Sequence, residues 1–137
     1  MKLLNISLLF LLAFSFSTSC QSQEKKNTLM LNYKAQTRGF LYQIQFKNNS
    51  IEINNNNAIK TAVLTKNQLV KINSLLKVIN FKEIKNNIST NDLAVDRAIK
   101  GVFKLHFNKI LYEFEFNHNR LPKEIKQLIQ LLEEFAQ

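Results

Sequence analysis

The sequence predicts an α+β domain: a mostly antiparallel sheet, in the order meander, helix, hairpin, helix, with the helices packed on one face. Three observations predict it. Apolar residues recur at every second position in several short stretches, the mark of half-buried strands. They recur at helical spacing in two others. Short polar turns join the alternating stretches, so strands come in hairpins rather than βαβ crossovers.

The first strand is read from Leu29, Leu31, Tyr33 and Ala35, which alternate with Met30, Asn32, Lys34 and Gln36. Thr37-Arg38-Gly39 is a turn, and Phe40, Tyr42, Ile44 and Phe46 alternate after it. With Asn48-Asn49 as a two-residue loop, Phe46 faces Ile51, Ile44 faces Ile53 and Gln45 faces Glu52. Asparagine tolerates the positive φ that tight hairpin turns require. With Thr37-Arg38 as the first loop, Ala35 faces Phe40, Tyr33 faces Tyr42 and Leu31 faces Ile44. Every apolar residue then shares one side, which a one-residue slip would undo.

Asn54 to Asn57 reads as a polar loop, and Ala58 to Leu64 as a short fourth strand. Thr65 and Gln68 have capping-box spacing, and Leu69, Ile72, Leu76 and Ile79 form one apolar stripe of a helix over 66–79. Between Phe81 and Lys100, Asn86-Asn87 and Ser89 to Asp92 suggest an irregular connection, with a helical turn within Leu93 to Ile99. Gly101 opens a second hairpin looped at Asn108-Lys109. There Leu105 faces Tyr112, Phe103 faces Phe114, and Lys104 meets Glu113 as a cross-strand charge pair. Pro122 suits the first turn of a closing helix, whose stripe is Leu121, Ile125, Leu128, Leu132 and Phe135.

The N-terminal residues speak to location. Met1-Lys2 is followed by an apolar run from Leu3 to Phe14, interrupted by Asn5 and Ser7, and then by Ser17-Thr18-Ser19-Cys20. A charged start, an apolar stretch of about 7–15 residues and a small-residue cut site define a secretory signal. The run is too short for a membrane-spanning helix, which needs about 20 apolar residues. Cys20 at the cut resembles the lipobox of bacterial lipoproteins, with Ser17 where leucine is usual. The expected organisation is a signal peptide over 1–19, a lipid anchor at Cys20 with a polar tether over 20–27, and one domain over 28–137. Cys20 is the sole cysteine, so once acylated it leaves the domain without a disulfide, a thiol nucleophile or a thiolate metal site.

The formal charge is +9, and loss of Lys2 with the signal leaves +8. That balance favours anionic neighbours, yet the lysines are scattered and the Lys, Asn, Ile and Phe bias is what an AT-rich genome encodes. An exported, anchored protein is poorly placed to meet nucleic acid, so no such partner is expected.

The charged residues offer one constellation. Arg38 sits at a turn tip, where a guanidinium pairs with carboxylates. Asp96 and Arg97 precede the last hairpin, and His118 and Arg120 follow its second strand, so antiparallel pairing gathers these four at one end of the sheet. Two readings are open: an anion- or carboxylate-binding site, or a salt-bridge and helix-entry network fixing the loop before Gly101. His106, between Lys104 and Asn108, reads as a solvated residue, and Glu113 and Glu115 as solvated strand positions. No His-x-x-x-His or Asp-x-Asp-x-Asp spacing occurs, so no dedicated metal site is expected. No phosphate cradle or nucleophile elbow occurs in a chain of two glycines, so no cofactor is expected.

Thr37-Arg38-Gly39-Phe40, Asp96-Arg97-Ala98 and the run from Phe116 to Pro122 resemble recurring marks of uncharacterised small exported lipoproteins of Bacteroidetes-type bacteria. The resemblance spans most of 29–135. This chain departs from those marks with Arg97 where glycine is commoner, and with Asn119-Arg120 in a normally shorter turn. The resemblance implies an exported α+β domain and no mechanism. Gln21, rather than an aspartate after the lipid cysteine, implies the outer membrane, and the tether suggests its periplasmic side.

The expected function is a non-catalytic, lipid-anchored binding or accessory module, using a sheet face or the Arg38 turn to meet an envelope protein or an anionic glycan. The alternatives are a small hydrolase using Asp96 and His118 with Arg38 or Arg120 as anion anchor, and an envelope inhibitor or immunity-type protein.

Overall fold

Six strands make one sheet: β1 (Met30–Thr37), β2 (Phe40–Lys47), β3 (Ser50–Asn55), β4 (Ala58–Val63), β5 (Lys100–Phe107) and β6 (Ile110–Asn117). The computed structural model describes residues 29–89, 91 and 98–137. Cys20 and the tether, the expected helical turn, Asp96 and Arg97 therefore lie outside the described residues. The strand order is β4-β3-β2-β1-β5-β6, with each neighbouring pair antiparallel. The protein is thus α+β, and β1 is the seam where the four-stranded meander meets the closing hairpin.

Three of the turns share one device. Asn48-Asn49, Asn56-Asn57 and Asn108-Lys109 all have both residues at positive φ, between 49° and 71°. This is the backbone of the two-residue turns whose twist matches paired strands. The expected facings across Asn48-Asn49 and Asn108-Lys109 hold. Asn54 and Asn55 are not loop residues: they complete β3, and the turn is Asn56-Asn57 alone.

The first hairpin corrects the expected register. Its turn is Arg38-Gly39, so Thr37 pairs with Phe40, Ala35 with Tyr42, Tyr33 with Ile44 and Leu31 with Phe46. The difference is a slide of two residues, which keeps every side chain on its face and is invisible to hydrophobic alternation. The observed register lets all eight residues of each strand pair. The expected one would set Phe46 and Lys47 against residues 29 and 28, beyond the start of β1.

Helix α1 (Lys66–Val78) begins at the expected capping box, with the Gln68 N–H donating to Thr65 Oγ1 and the Thr65 N–H to Gln68 Oε1. Helix α2 (Lys123–Phe135) starts one residue after Pro122, which stands at the cap position. Ile72 and Leu76 of α1 and Ile125, Leu128 and Leu132 of α2 join Leu31, Tyr33, Ile44, Ile51, Phe103 and Leu105 in one core. The alternate residues of the sheet, among them Asn32, Lys34, Gln36, Gln45, Lys104 and Glu113, are exposed.

Each helix runs across the strands. The Leu64 N–H donates to the Asn49 carbonyl at 2.7 Å, holding the start of α1 beside the β2–β3 turn. Just past its end, Phe81 stacks on Tyr112 of β6 at 4.5 Å. Thirteen helical residues span about 20 Å, which matches the roughly 19 Å from β3 to β6 at about 4.8 Å per strand. Helix α2 returns from the end of β6 until Glu133 reaches the Tyr42 hydroxyl on β2.

The connection after α1 covers the outer edge of β6. The Glu115 N–H donates to Asn86 Oδ1 at 2.9 Å, the Asn87 N–H to the Glu115 carbonyl at 3.1 Å and the Asn117 N–H to Asn87 Oδ1 at 2.7 Å. Two asparagines thereby stand in for a seventh strand and protect that edge from outside pairing.

Tyr33 is fully buried, and its space depends on residue 101. A Cβ at Gly101 would fall 2.9 Å from two carbons of the Tyr33 ring, whereas one at Gly39 meets nothing within 4 Å. Gly101→Ala is expected to lower unfolding free energy by about 1–3 kcal/mol, the usual cost of overpacking. Gly39→Ala is expected to change it by less than about 0.5 kcal/mol, as at an open surface position. Urea denaturation compares the two, and equal midpoints would show that Tyr33 does not depend on the gap at 101.

Candidate functional site

At the end of the sheet that holds the Arg38-Gly39 and Asn56-Asn57 turns, polar side chains enter the core. Tyr33 (β1) and Tyr42 (β2) are diagonal neighbours on its apolar face, their rings edge-on at 6.1 Å. A 3₁₀ turn, His118–Arg120, follows β6. It is held by the His118 N–H donating to the Ile99 carbonyl at 2.8 Å, and by the Asn119 N–H donating to Asn117 Oδ1 at 3.0 Å. The turn places the His118 ring among Phe40, Tyr42 and Tyr33, at centroid distances of 5.2, 5.3 and 5.8 Å.

Hydrogen bonds engage both tyrosine hydroxyls of this cluster. The Tyr33 hydroxyl lies 2.8 Å from His118 Nδ1, and the Tyr42 hydroxyl donates to Glu133 Oε1 on α2. Burial pushes the Tyr33 phenol well above its usual range. It does the same to Tyr42, with the bond to Glu133 and that carboxylate's charge adding to the effect. Both phenols therefore keep their protons. Burial pulls His118 below its ordinary 6.5, against the opposing pull of the Glu133 charge. A neutral imidazole facing a protonated phenol accepts at Nδ1 and carries its own proton on Nε2. The cluster ties β1, β2, the 3₁₀ turn and α2 together.

The sequence-predicted residues fall around this cluster without forming the expected constellation. His118 and Arg120 do reach one end of the sheet, and the Arg38 turn lies there too, since Phe40 packs on His118. Their side chains diverge. His118 is half-buried and turned inward, while Arg38 and Arg120 are exposed. Arg120 is engaged through its carbonyl, which accepts from Asn87 Nδ2 at 2.6 Å. Arg38 lines a shallow depression with Asn56 and Asn57. Asp96 and Arg97 are outside the described residues, so neither their convergence with His118 nor a salt bridge to it is part of the described site.

Glu115 and His118 stand three apart, but Glu115 lies on the open face in an ion pair with Lys100 at 2.6 Å, opposite to His118. Among the described residues no three His, Cys, Asp or Glu side chains converge as metal ligands do. Glu113 pairs with Lys104 at 2.9 Å as expected. His106 is half-buried rather than fully solvated, lying between Met30 and Leu111 in register.

Tyr33, Tyr42 and Glu133 are the residues that sequence reasoning missed. The signal was present: tyrosine rather than phenylalanine on a buried stripe brings a hydroxyl that must find a partner.

The second candidate surface is the sheet's uncovered face. Asn32, Lys34, Gln36, Lys100, Val102 and Lys104 line an open depression of about 390 Å³ along β1 and β5. A neighbouring depression of about 260 Å³ shares Asn32 and Lys104 and reaches Gln45 and Lys47. Amides and lysines dominate the first, whereas Met30, Leu31, Phe46, His106 and Leu111 also line the second.

No protein family, curated protein or solved structure matches this chain.

The inward histidine gives a pH signature with a defined sign. Its folded pKa lies below 6.5, so the unfolded chain takes up the proton first as pH falls. The stability gained from a neutral ring is complete above 6.5 and is lost as pH drops through the folded value. Wild type is expected to exceed His118→Gln in unfolding free energy most at about pH 8, with the gap narrowing towards about pH 5. Urea titrations at several pH values check this; a gap that stays constant would mean the ring is not held neutral.

Proposed function

We propose that this protein is a lipid-anchored envelope protein, a non-catalytic binding module that meets an anionic partner through the uncovered face of its sheet. The reading keeps the expected place: acyl chains on Cys20, the outer membrane, the periplasmic side, and kinship with exported lipoproteins of Bacteroidetes-type bacteria. The observation that carries it is the division of the sheet. Both helices contribute to the core on one face, while the other leaves a continuous band of amides and lysines along β1, β2 and β5 open to solvent.

Binding suits that band better than turnover does. Lys34, Lys100 and Lys104 supply positive charge for carboxylate or sulfate groups, and Asn32, Gln36 and Gln45 add donors and acceptors that impose no charge of their own. Ion pairs to Glu113 and Glu115 position two of the lysines and leave Lys34 on the central strand as the cation nearest the middle of the band. The hydrolase alternative would have to work through Nε2 of His118, because Nδ1 is held by the Tyr33 hydroxyl.

Two experiments on the full-length chain test the reading. Cys20→Ala is expected to abolish metabolic palmitate labelling and to release the protein from the membrane fraction; unchanged labelling and partition would refute the anchor. Binding of the mature protein to polygalacturonate, a carboxylate polysaccharide, probes the face. Lys34→Glu is expected to weaken it at least roughly fivefold, the scale of about 1 kcal/mol for an exposed charge. Lys126→Glu, which alters α2 by the same charge, is expected to change it less. Equal losses would reduce the attraction to net charge and remove the sheet face from the proposal.

A further inference from the structure

The exposed apolar residues are distributed unevenly. Seven large apolar side chains are exposed among the described residues: Met30, Ile59, Val63, Val70, Val78, Ile110 and Leu111. Register places Met30, Val63, Ile110 and Leu111 at one end of the sheet, the end where β1 begins and where the Asn48-Asn49 and Asn108-Lys109 turns lie. Val70 and Val78 are on α1, the helix that crosses this same end. Ile59 alone lies opposite, beside the Asn56-Asn57 turn.

The two helices divide charge in the same way, although the opposite end of the sheet also carries the exposed Arg38 and Arg120. Lys47 and Lys109 flank the two turns, and α1 carries Lys66, Lys71 and Lys77 with no acidic residue. Helix α2, on the other half, carries Glu124, Glu133 and Glu134 against Lys123 and Lys126. Isolated apolar side chains set among lysines are the composition of a surface that lies in a lipid headgroup layer. The aliphatic side chains enter the acyl boundary there, and the ammonium groups stay among the phosphates.

We propose that this end of the domain rests directly on an anionic lipid bilayer, with Met30, Val63, Ile110 and Leu111 inserted and Lys47 and Lys109 on the headgroups. The proposal rests on the reading of Cys20 as the lipid anchor. Eight residues lie between Cys20 and Leu29, so the reach over those nine steps is at most about 32 Å. Because the chain enters the fold at Met30, this is the end of the sheet from which the tether runs to the anchor. The anchor supplies proximity; the apolar and basic side chains set the orientation. With the strands rising from the bilayer, the band of amides and lysines along β1 and β5 faces sideways, clear of lipid.

The test uses the mature, acylated full-length chain reconstituted in vesicles of phosphatidylcholine, alone or with phosphatidylglycerol. Since acylation occupies the natural cysteine, an environment-sensitive fluorophore is placed by Leu111→Cys, or by Val63→Cys as a second site, and by Ile59→Cys at the opposite end. Quenching by nitroxide-bearing lipid is expected at 111 and 63 in phosphatidylglycerol vesicles, and to be absent at 59. Each lysine near an anionic surface contributes about 1 kcal/mol, so Lys47→Gln with Lys109→Asn is expected to lower the docked-to-undocked ratio roughly thirtyfold. Asparagine is chosen at 109 because it accepts the positive φ there. The charge-matched pair Lys60→Gln and Lys123→Gln is expected to leave the ratio unchanged. Mass spectrometry reads Cys20 separately. A chain without an acyl group overturns the anchor and this proposal together, whereas an acylated chain quenched equally at 111 and 59, or at neither, overturns the docking alone.

Discussion

The contact between Tyr33 and Gly101 is the constraint on which the rest of the structure depends. Among the described residues β1 is the strand that joins the meander to the closing hairpin, so the register of β1 against β5 decides how the two halves of the sheet combine. Ala35 lies opposite Gly101, and the Tyr33 ring extends over the place where residue 101 has no Cβ. A slide of β5 by two residues would preserve alternation yet set Phe103 or Ile99 where that gap is needed. Hydrophobic parity selects the face of each strand, and this one steric fit selects the register within it. With the ring seated, its hydroxyl reaches His118, which fixes the end of β6 and the approach to α2.

What could be read in advance follows from the range of the interaction concerned. Strand faces, the capping box at Thr65 and the Lys104–Glu113 pair depend on neighbours in sequence or on one hairpin, and all are present as expected. The first turn is not legible in the sequence because Thr37-Arg38 and Arg38-Gly39 give the same parity, and only the full pairing of β1 with β2 separates them. Asn54 and Asn55 read as a loop in the sequence because asparagine favours turns. In β3 their backbone pairs with Tyr42, Gln43, Ala58 and Ile59, and tertiary pairing overrides a weak propensity. The role of Asn86 and Asn87 was beyond any local pattern, since their partners lie about thirty residues away on β6.

The histidine cluster was hidden by the logic that revealed the core. An aromatic stripe at strand spacing says that a face is buried; it does not say which hydroxyls must then be satisfied inside it. Tyr33 and Tyr42 resolve this differently, one on an imidazole and the other on a carboxylate from α2. No buried side-chain polar atom among the described residues is left without a partner. Such a network gives a core directional specificity that apolar packing lacks, because each member accepts few geometries. Its members come from β1, β2, the turn after β6 and α2, elements separated by as many as ninety-one residues (Tyr42 to Glu133). Charge at the same end was visible in the sequence as Arg38, His118 and Arg120, but which of them turns inward is decided by the 3₁₀ turn.

The two helices, similar in length, divide the molecule's surface chemistry. Helix α1 needs only to bury Ile72 and Leu76 and otherwise presents lysines; α2 buries four residues and ends in two glutamates, one of them bonded to Tyr42. Because the helices cross the strands side by side, this difference in composition becomes a difference between the two ends of the sheet. An end that is basic and sparsely apolar cannot lower its free energy by packing on its own core, and lysines keep it from pairing with a copy of itself through like-charge repulsion. An anionic, fluid surface satisfies both demands at once: it takes isolated apolar side chains without shape complementarity and gains from every lysine. In the proposed seating, the same asymmetry leaves the sheet's open band facing along the membrane. Lys47 and Lys109, with the lysines of α1 behind them, then serve the contact that orients the domain, while Lys34, Lys100 and Lys104 are left for a partner.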